Sequence, residues 1–284
     1  MRLPLWLALG TCLPACAPPA PAPGPEPVLV QRAAAALDPA AASADPAGAP
    51  ACPADMVLVE GLLCPVVEQR CLREHPDWQR KGDASERCLE FASPSRCLSG
   101  ERVLQRFCID RYEWPNRAGE RPRVLVDFAT ATASCASAGK RLCDEPEWLF
   151  ACEGEAMTPY VNGYLRDPTA CVMDRPWIER PPRPFAQWDA CMADPACRRA
   201  FEKLDQRAPA GGSPGCASSL GVQDLNGNVN EWVNVPRQKK PHRAGLKGGW
   251  WGPVRDRCRP TVRFHDEYDW GYEIGFRCCR DSRP

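Results

Sequence analysis

Eighteen cysteines in 284 residues narrow what this chain can become more than any other feature of it. Cytosolic thiols are kept reduced, so a count this high implies an oxidising compartment and a fold held by cross-links as well as by its core. No two cysteines follow a Cys-x-x-Cys spacing; Cys64 to Cys71, Cys88 to Cys97, Cys135 to Cys143 and Cys191 to Cys197 are all wider. Zinc ribbons and thioredoxin-type redox sites are therefore not expected. The three histidines, His75, His242 and His265, lie far apart in sequence, which leaves little for a histidine-built zinc or iron centre. Lys plus Arg and Asp plus Glu number 36 each, so no net field draws nucleic acid.

The N-terminus places Met1-Arg2 before the apolar stretch Leu3 to Leu9, the order of an export signal and too short for a membrane span. Leu13-Pro14-Ala15-Cys16 resembles a bacterial lipobox, with Pro14 departing from that pattern; Ala15-Cys16-Ala17 would also serve an ordinary signal peptidase. The reading adopted is a signal peptide over 1–15, lipidation at Cys16 and an Ala/Pro-rich tether over 16–51. The tether has no sustained apolar period with which to offset chain entropy. Removing Cys12 and Cys16 from the eighteen cysteines leaves sixteen, an even number, as a disulfide framework requires.

The 233 residues from Cys52 to Pro284 contain no second low-complexity linker and read as one domain, 52–284. Met56 to Val59 and Phe107 to Tyr112 predict strands, the second by its alternation of apolar and polar residues. Small residues around Cys135 predict a helix from Ala129 that ends at Gly139. Asp144, Pro146 and Glu147 predict the start of another helix running to Cys152. Pro159 to Pro214 is rich in Pro, Asp and Gly and predicts loops, with a helical turn or two between Phe185 and Leu204. Few, short strands are expected.

Seven strings then appear in a recognisable order: Met56-Val57-Leu58-Val59-Glu60-Gly61, Ile109-Asp110-Arg111-Tyr112-Glu113, Gly139-Lys140-Arg141-Leu142, Glu147-Trp148, Gly227-Asn228-Val229-Asn230-Glu231-Trp232, Lys247-Gly248-Gly249-Trp250 and Gly275-Phe276-Arg277-Cys278. Over about residues 52 to 281 the chain resembles the formylglycine-generating, or sulfatase-modifying factor, family. The resemblance implies an α+β fold, a formylglycine-generating-enzyme-like variant of the C-type lectin fold, which agrees with the loop-rich and disulfide-rich reading.

Asp224 and Glu231 flank a loop rich in Gly and Asn, and hard oxygen donors of this kind suit calcium. The resemblance implies a calcium ion held by the side chains of Asp224 and Glu231 and the carbonyls of Gly227 and Val229. The bland alternative is a turn in which Asp224 and Asn228 bond their own backbone. A second calcium site of the family is not carried over, because Val172, beside Cys171, stands where a polar ligand is needed. The resemblance further implies the disulfides Cys135 to Cys278 and Cys152 to Cys258. Cys278-Cys279 is a vicinal pair whose members are expected to take different partners, Cys143 being a reasonable one for the second.

Formylglycine generators bind copper with a cysteine pair between the Gly-Gly motif and the second bridge. Trp250 to Arg257 contains no cysteine, so copper is not expected. The expectation is therefore an exported, lipid-anchored, calcium-stabilised binding module of the cell envelope, in the outer membrane or periplasm. It is expected to be monomeric, with a protein, peptide or glycan ligand, the membrane reached through the lipid and no nucleic acid partner. The alternative is a divergent formylglycine-generating or related non-haem metal oxidase acting on a cysteine or thiol. The aromatic group Trp250, Trp251, Tyr268, Trp270 and Tyr272 is expected either to wall a ligand site or to fill the core.

Overall fold

The computed structural model describes residues 50–78, 86–180 and 187–283. The expected signal peptide, Cys16 and all but the last two residues of the expected tether lie outside the described residues.

Alternation sets the first sheet. Along β1 (Met56–Leu63), Val57, Val59 and Leu63 face inward while Leu58, Glu60 and Leu62 face out. It pairs in antiparallel register with β6 (Val103–Asp110), Met56 opposite Asp110 and Leu63 opposite Val103. The C-terminal strand β11 (Cys278–Asp281) joins the other edge of β6 and carries the two-residue β7 (Arg141–Leu142), giving the order β1-β6-β11-β7. Between β1 and β6 the chain makes two small hairpin pairings. One joins β2 (Val67–Glu68) to β5 (Arg96–Cys97), and the other joins β3 (Cys71–Glu74) to β4 (Cys88–Phe91). A second sheet has β8 (Asn230–Asn234) at its centre, antiparallel to β9 (Ala244–Lys247) and parallel to β10 (Ile274–Phe276). Strands are short, as expected, but eleven lie among the described residues, more than the local pattern revealed. Two-residue strands carry too little periodicity to be seen in sequence.

The helices follow their end signals. α1 (Phe128–Ser137) starts where the Asp127 carboxylate accepts the Thr130 N–H at 2.7 Å. It stops at Gly139, whose φ of 67° lets Gly139 N–H reach the Ala136 carbonyl and Lys140 N–H the Cys135 carbonyl, both at 3.0 Å. α2 (Glu145–Glu153) begins behind Asp144, whose N–H donates to Glu147 Oε2 at 2.8 Å. Two helices, α3 (Trp188–Ala193) and α4 (Pro195–Leu204), occupy the stretch expected to hold helical turns and are tied by Cys191 to Cys197.

Every cysteine from Cys52 onward is in a disulfide. The pairs are Cys52–Cys108, Cys64–Cys97, Cys71–Cys88, Cys135–Cys278, Cys143–Cys279, Cys152–Cys258, Cys171–Cys216 and Cys191–Cys197. The vicinal cysteines of β11 thus point to opposite faces and take different partners, because successive side chains of a strand alternate. Eight disulfides place the domain in an oxidising, extracytoplasmic setting. No helix among the described residues is long and apolar enough to cross a membrane.

The aromatic group divides. Trp251 and Tyr272 are buried with Phe201 and Val229 in one core cluster. Trp250 packs edge-on against Trp251 at 5.4 Å and Tyr272 at 6.2 Å, whereas Trp270 meets Trp188 at 5.5 Å and Tyr268 is exposed. The five residues therefore form no continuous wall. Trp250 alone reaches the ligand-sized cavity described below.

Candidate functional site

The seven strings meet in space. Lys140 Nζ donates to Asp110 and to Asp55, each at 2.6 Å, joining the end of β6 to the turn after α1. Arg141 holds Glu147 through two bonds of 2.7 and 2.5 Å and fixes the start of α2 against β7. α2 in turn aims Trp148 at the second sheet, where its indole N–H donates to Glu231 Oε2 at 2.7 Å. Lys247, opposite Glu231 in the strand register, sits 5.2 Å above the Trp148 ring. Arg277, on the link between β10 and β11, completes the arrangement by gripping Glu231.

Around Glu231 lies a buried anionic centre. Asp224, Glu113 and Glu231 are 3%, 0% and 1% exposed, and the nearby cation is Arg277, itself fully buried. The 224–231 loop reaches this place by left-handed turns. Asp224, Gly227 and Asn228 have φ of 61°, 78° and 52°, and a Cβ at Gly227 would meet the Val172 carbonyl oxygen. Asp224 Oδ2 accepts the Gly211 N–H at 2.6 Å, and Asn228 Nδ2 donates to Glu113 Oε2 at 3.0 Å. Asn228 also bonds both the N–H and the carbonyl of Ala208, so the segment after α4 closes over the loop.

The charges do not balance. Burial, then the Asp224 and Glu231 carboxylates, push the Glu113 carboxyl well above the usual range. Burial pushes Asp224 up to about 6 against the Gly211 N–H and Arg277. Glu113 Oε1 is buried without a hydrogen-bond partner. Three carboxylates against one guanidinium, one oxygen of them orphaned, are hard donors matched to a divalent cation, so the residues fit calcium. Glu231 departs from a simple ligand, because Arg277 and Trp148 already occupy both of its oxygens. Among the described residues no three His, Cys, Asp or Glu side chains are grouped closely enough to hold a metal by themselves, so backbone carbonyls would be needed. The sequence reading gave Glu113 and Arg277 no role, although both stand in the strings it singled out. An acid two residues beyond an Ile-Asp-Arg was the one local signal.

Beside this centre a cavity of about 200 Å³ opens against the Gly-Gly-Trp turn. Gly248 and Gly249 have φ of 85° and 80°, and a Cβ on Gly249 would fall on the Asp256 carboxylate, so only glycine fits. Asp256 is held by Arg166 and carries the wall of the cavity with it. Trp250 and Phe264 line it, with Asn230, Arg255, His265 and Glu273 supplying polar groups. No thiol faces it.

Residues 101–282 match the family profile described as sulfatase-modifying factor enzyme 1-like domain. Hercynine oxygenase of Mycobacterium tuberculosis (strain ATCC 25618 / H37Rv) is 26% identical over 207 residues, which take in 66% of this chain and 42% of that protein. The chain thus spans less than half the length of this relative. Among solved structures, PvdO from Pseudomonas aeruginosa is 16% identical with a TM-score of 0.46, covering 83% of this chain and 100% of that one. CarF is 14% identical with a TM-score of 0.45, covering 76% and 98%.

Proposed function

The chain belongs to the sulfatase-modifying factor enzyme 1-like domain family, and from that premise we propose that it is a calcium-stabilised binding module of the cell envelope rather than an oxidase. The observation that carries this reading is the state of the cysteines: all sixteen from Cys52 onward are consumed in disulfides, and the cavity beside Trp250 is walled without sulfur. A soft copper ion needs thiolates, and a disulfide supplies none. Calcium would be held by the Asp224 and Glu231 carboxylates with the Gly227 and Val229 carbonyls. Bound there, it would compensate the charge that Arg277 leaves unmatched. Export through the N-terminal leader, with lipid on Cys16, puts the module at the membrane on a tether, where a protein, peptide or glycan is the class of partner in reach.

Three measurements test the reading. Metal analysis of purified protein should find calcium and neither copper nor iron. Copper-loaded protein incubated in air with a cysteine peptide of sulfatase type should form no aldehyde; aldehyde formation would sink the proposal in favour of the oxidase. Mass spectrometry of the mature N-terminal peptide should find acylated Cys16, and a free N-terminus at Pro18 would remove the lipid anchor from the proposal.

A further inference from the structure

We propose that the outward face of the first sheet, which carries Leu58, Leu62 and Leu104, docks on an anionic phospholipid surface. The proposal rests on the envelope reading, in which lipid on Cys16 brings the domain to a membrane, and it assigns the face that meets that membrane.

Strand register builds the face. Residues opposite one another in antiparallel strands share a side of the sheet, so the outward side is read row by row. Leu62 stands opposite Leu104, Glu60 opposite Arg106, and Leu58 opposite Cys108, which has Arg280 of β11 on its other flank. Leu58, Leu62 and Leu104 are 39%, 44% and 65% exposed, while the same strands bury Val57, Val59, Phe107 and Ile109 in the core on the inward side. A single exposed leucine is ordinary. Two placed directly opposite each other, with a third on the same side of the same strand, make an apolar patch.

Charge and the path of the chain select the occupant. Arg280 and Arg283 are exposed and line a hollow with Ala51 and Cys52. Arg106 adjoins them, its Nη1 donating to Ser282 Oγ at 3.1 Å and to the Arg283 carbonyl at 2.7 Å. The carboxylates near by are already engaged: Glu60 pairs with Arg106, Asp281 with Arg141, and Glu155, at the edge of β1, accepts the Leu62 N–H while Arg102 donates to its carbonyl. The face keeps an excess of cations around its leucines, the combination that anionic headgroups attract. The chain also enters here. Cys52 is bonded to Cys108 on this face and the Ala51 carbonyl accepts the Arg283 N–H at 3.0 Å, so the segment running back to Cys16 joins the domain on the side that carries the leucines. Lipid on that segment would hold the face at high effective concentration near the bilayer, where a small patch suffices. A second copy is a poorer occupant, because three leucine side chains fall short of the roughly 800 Å² per partner that a stable interface buries.

The test is co-sedimentation of the mature chain, residues 16–284 with Cys16→Ser to remove the acylation site, with vesicles of equimolar phosphatidylcholine and phosphatidylglycerol or of phosphatidylcholine alone. The protein should partition to the anionic vesicles at least about tenfold more strongly than to the neutral ones, and less strongly as salt rises. Leu62→Gln with Leu104→Gln, and separately Arg280→Gln with Arg283→Gln, should each weaken that partition at least about tenfold. Leu72→Gln with Leu165→Gln, which changes exposed leucines elsewhere, should leave it as it is. Melting temperature checks that all three variants fold. Equal binding to both kinds of vesicle, binding to neither, undiminished binding by either of the first two variants, or an equal loss in the third overturns the assignment. So does a dimer in sedimentation velocity that Leu62→Gln with Leu104→Gln dissolves, since a second copy then covers the face. Mass spectrometry of the wild-type N-terminal peptide decides the lipid anchor separately: acylated Cys16 without vesicle binding by the unacylated chain leaves the envelope reading intact and defeats only the docking face.

Discussion

Arg277 holds Glu231 in a two-point grip, Nε to Oε2 and Nη2 to Oε1, both at 2.6 Å, with neither side chain more than 1% exposed. The same guanidinium also donates to the carbonyls of Asp110, Arg111 and Gln223, so one side chain ties the end of β6, the start of the 224–231 loop and β8 together. Glu231 is in consequence an anchor for the fold as well as a candidate ligand, and any test of the loop must separate the two roles.

Arg277→Met should destabilise the domain by about 3 to 5 kcal/mol, because it strands a buried carboxylate beside Glu113 and Asp224. Urea unfolding at neutral pH measures this. Adding Glu231→Gln should recover part of the loss; a loss below about 1 kcal/mol for the single variant would mean that the grip contributes little.

Asp224→Asn keeps an acceptor for the Gly211 N–H while removing charge, so it separates calcium binding from folding. The wild type should melt at a lower temperature in chelator than in excess calcium, the gain at a hundred times the dissociation constant being about 3 kcal/mol. The variant should lose most of that difference. Glu113→Gln should raise the melting temperature in chelator, since it removes a buried carboxyl that Asp224 and Glu231 repel when it is ionised. Wild-type melting that ignores calcium would reduce the loop to a turn.

Lys247 is 1% exposed, and burial pushes its ammonium down to about 7, with its Nζ on the Arg259 carbonyl and Thr261 Oγ1. A lysine depressed on folding is released from its penalty as it deprotonates, so stability should rise between pH 7 and 9 by about 1 kcal/mol per pH unit and fall as pH drops back toward 7. Burial pushes Glu153 up to about 7 despite Arg259, and a carboxyl raised on folding contributes stability that is lost as pH rises through that value. Urea midpoints at pH 7, 8 and 9 with calcium present should climb in the wild type and stay flat in Lys247→Met.

The disulfides should rank by the length of chain they close. Replacing both members of Cys135–Cys278, 143 residues apart, should cost about 5 kcal/mol, whereas removing Cys191–Cys197, six apart, should cost about 2. Changing both cysteines of each pair avoids a stray thiol. Denaturant midpoints that reverse this order would show that strain or residual structure, not loop closure, governs the cross-links.

What the sequence determined by itself was local or compositional. Eighteen cysteines implied an oxidising compartment, Gly139 ended α1, Asp144 and Glu147 started α2, and the seven ordered strings pointed to the family to which the chain belongs. Each of these is written within a few residues, because caps and strand alternation are nearest-neighbour physics. Tertiary structure decided the rest. Cys64 joins Cys97 rather than Cys71, a choice that β2 and β5 make by pairing. Glu113 faces Asp224 from more than a hundred residues away, and Lys247 comes to lie over Trp148. Glu273 and Arg255 share a cavity because β10 runs parallel to β8 while a disulfide pins the 250–258 loop. A carboxylate's charge, a lysine's proton and the lining of a cavity depend on what packs around them, and that surrounding is assembled from segments that share no local pattern.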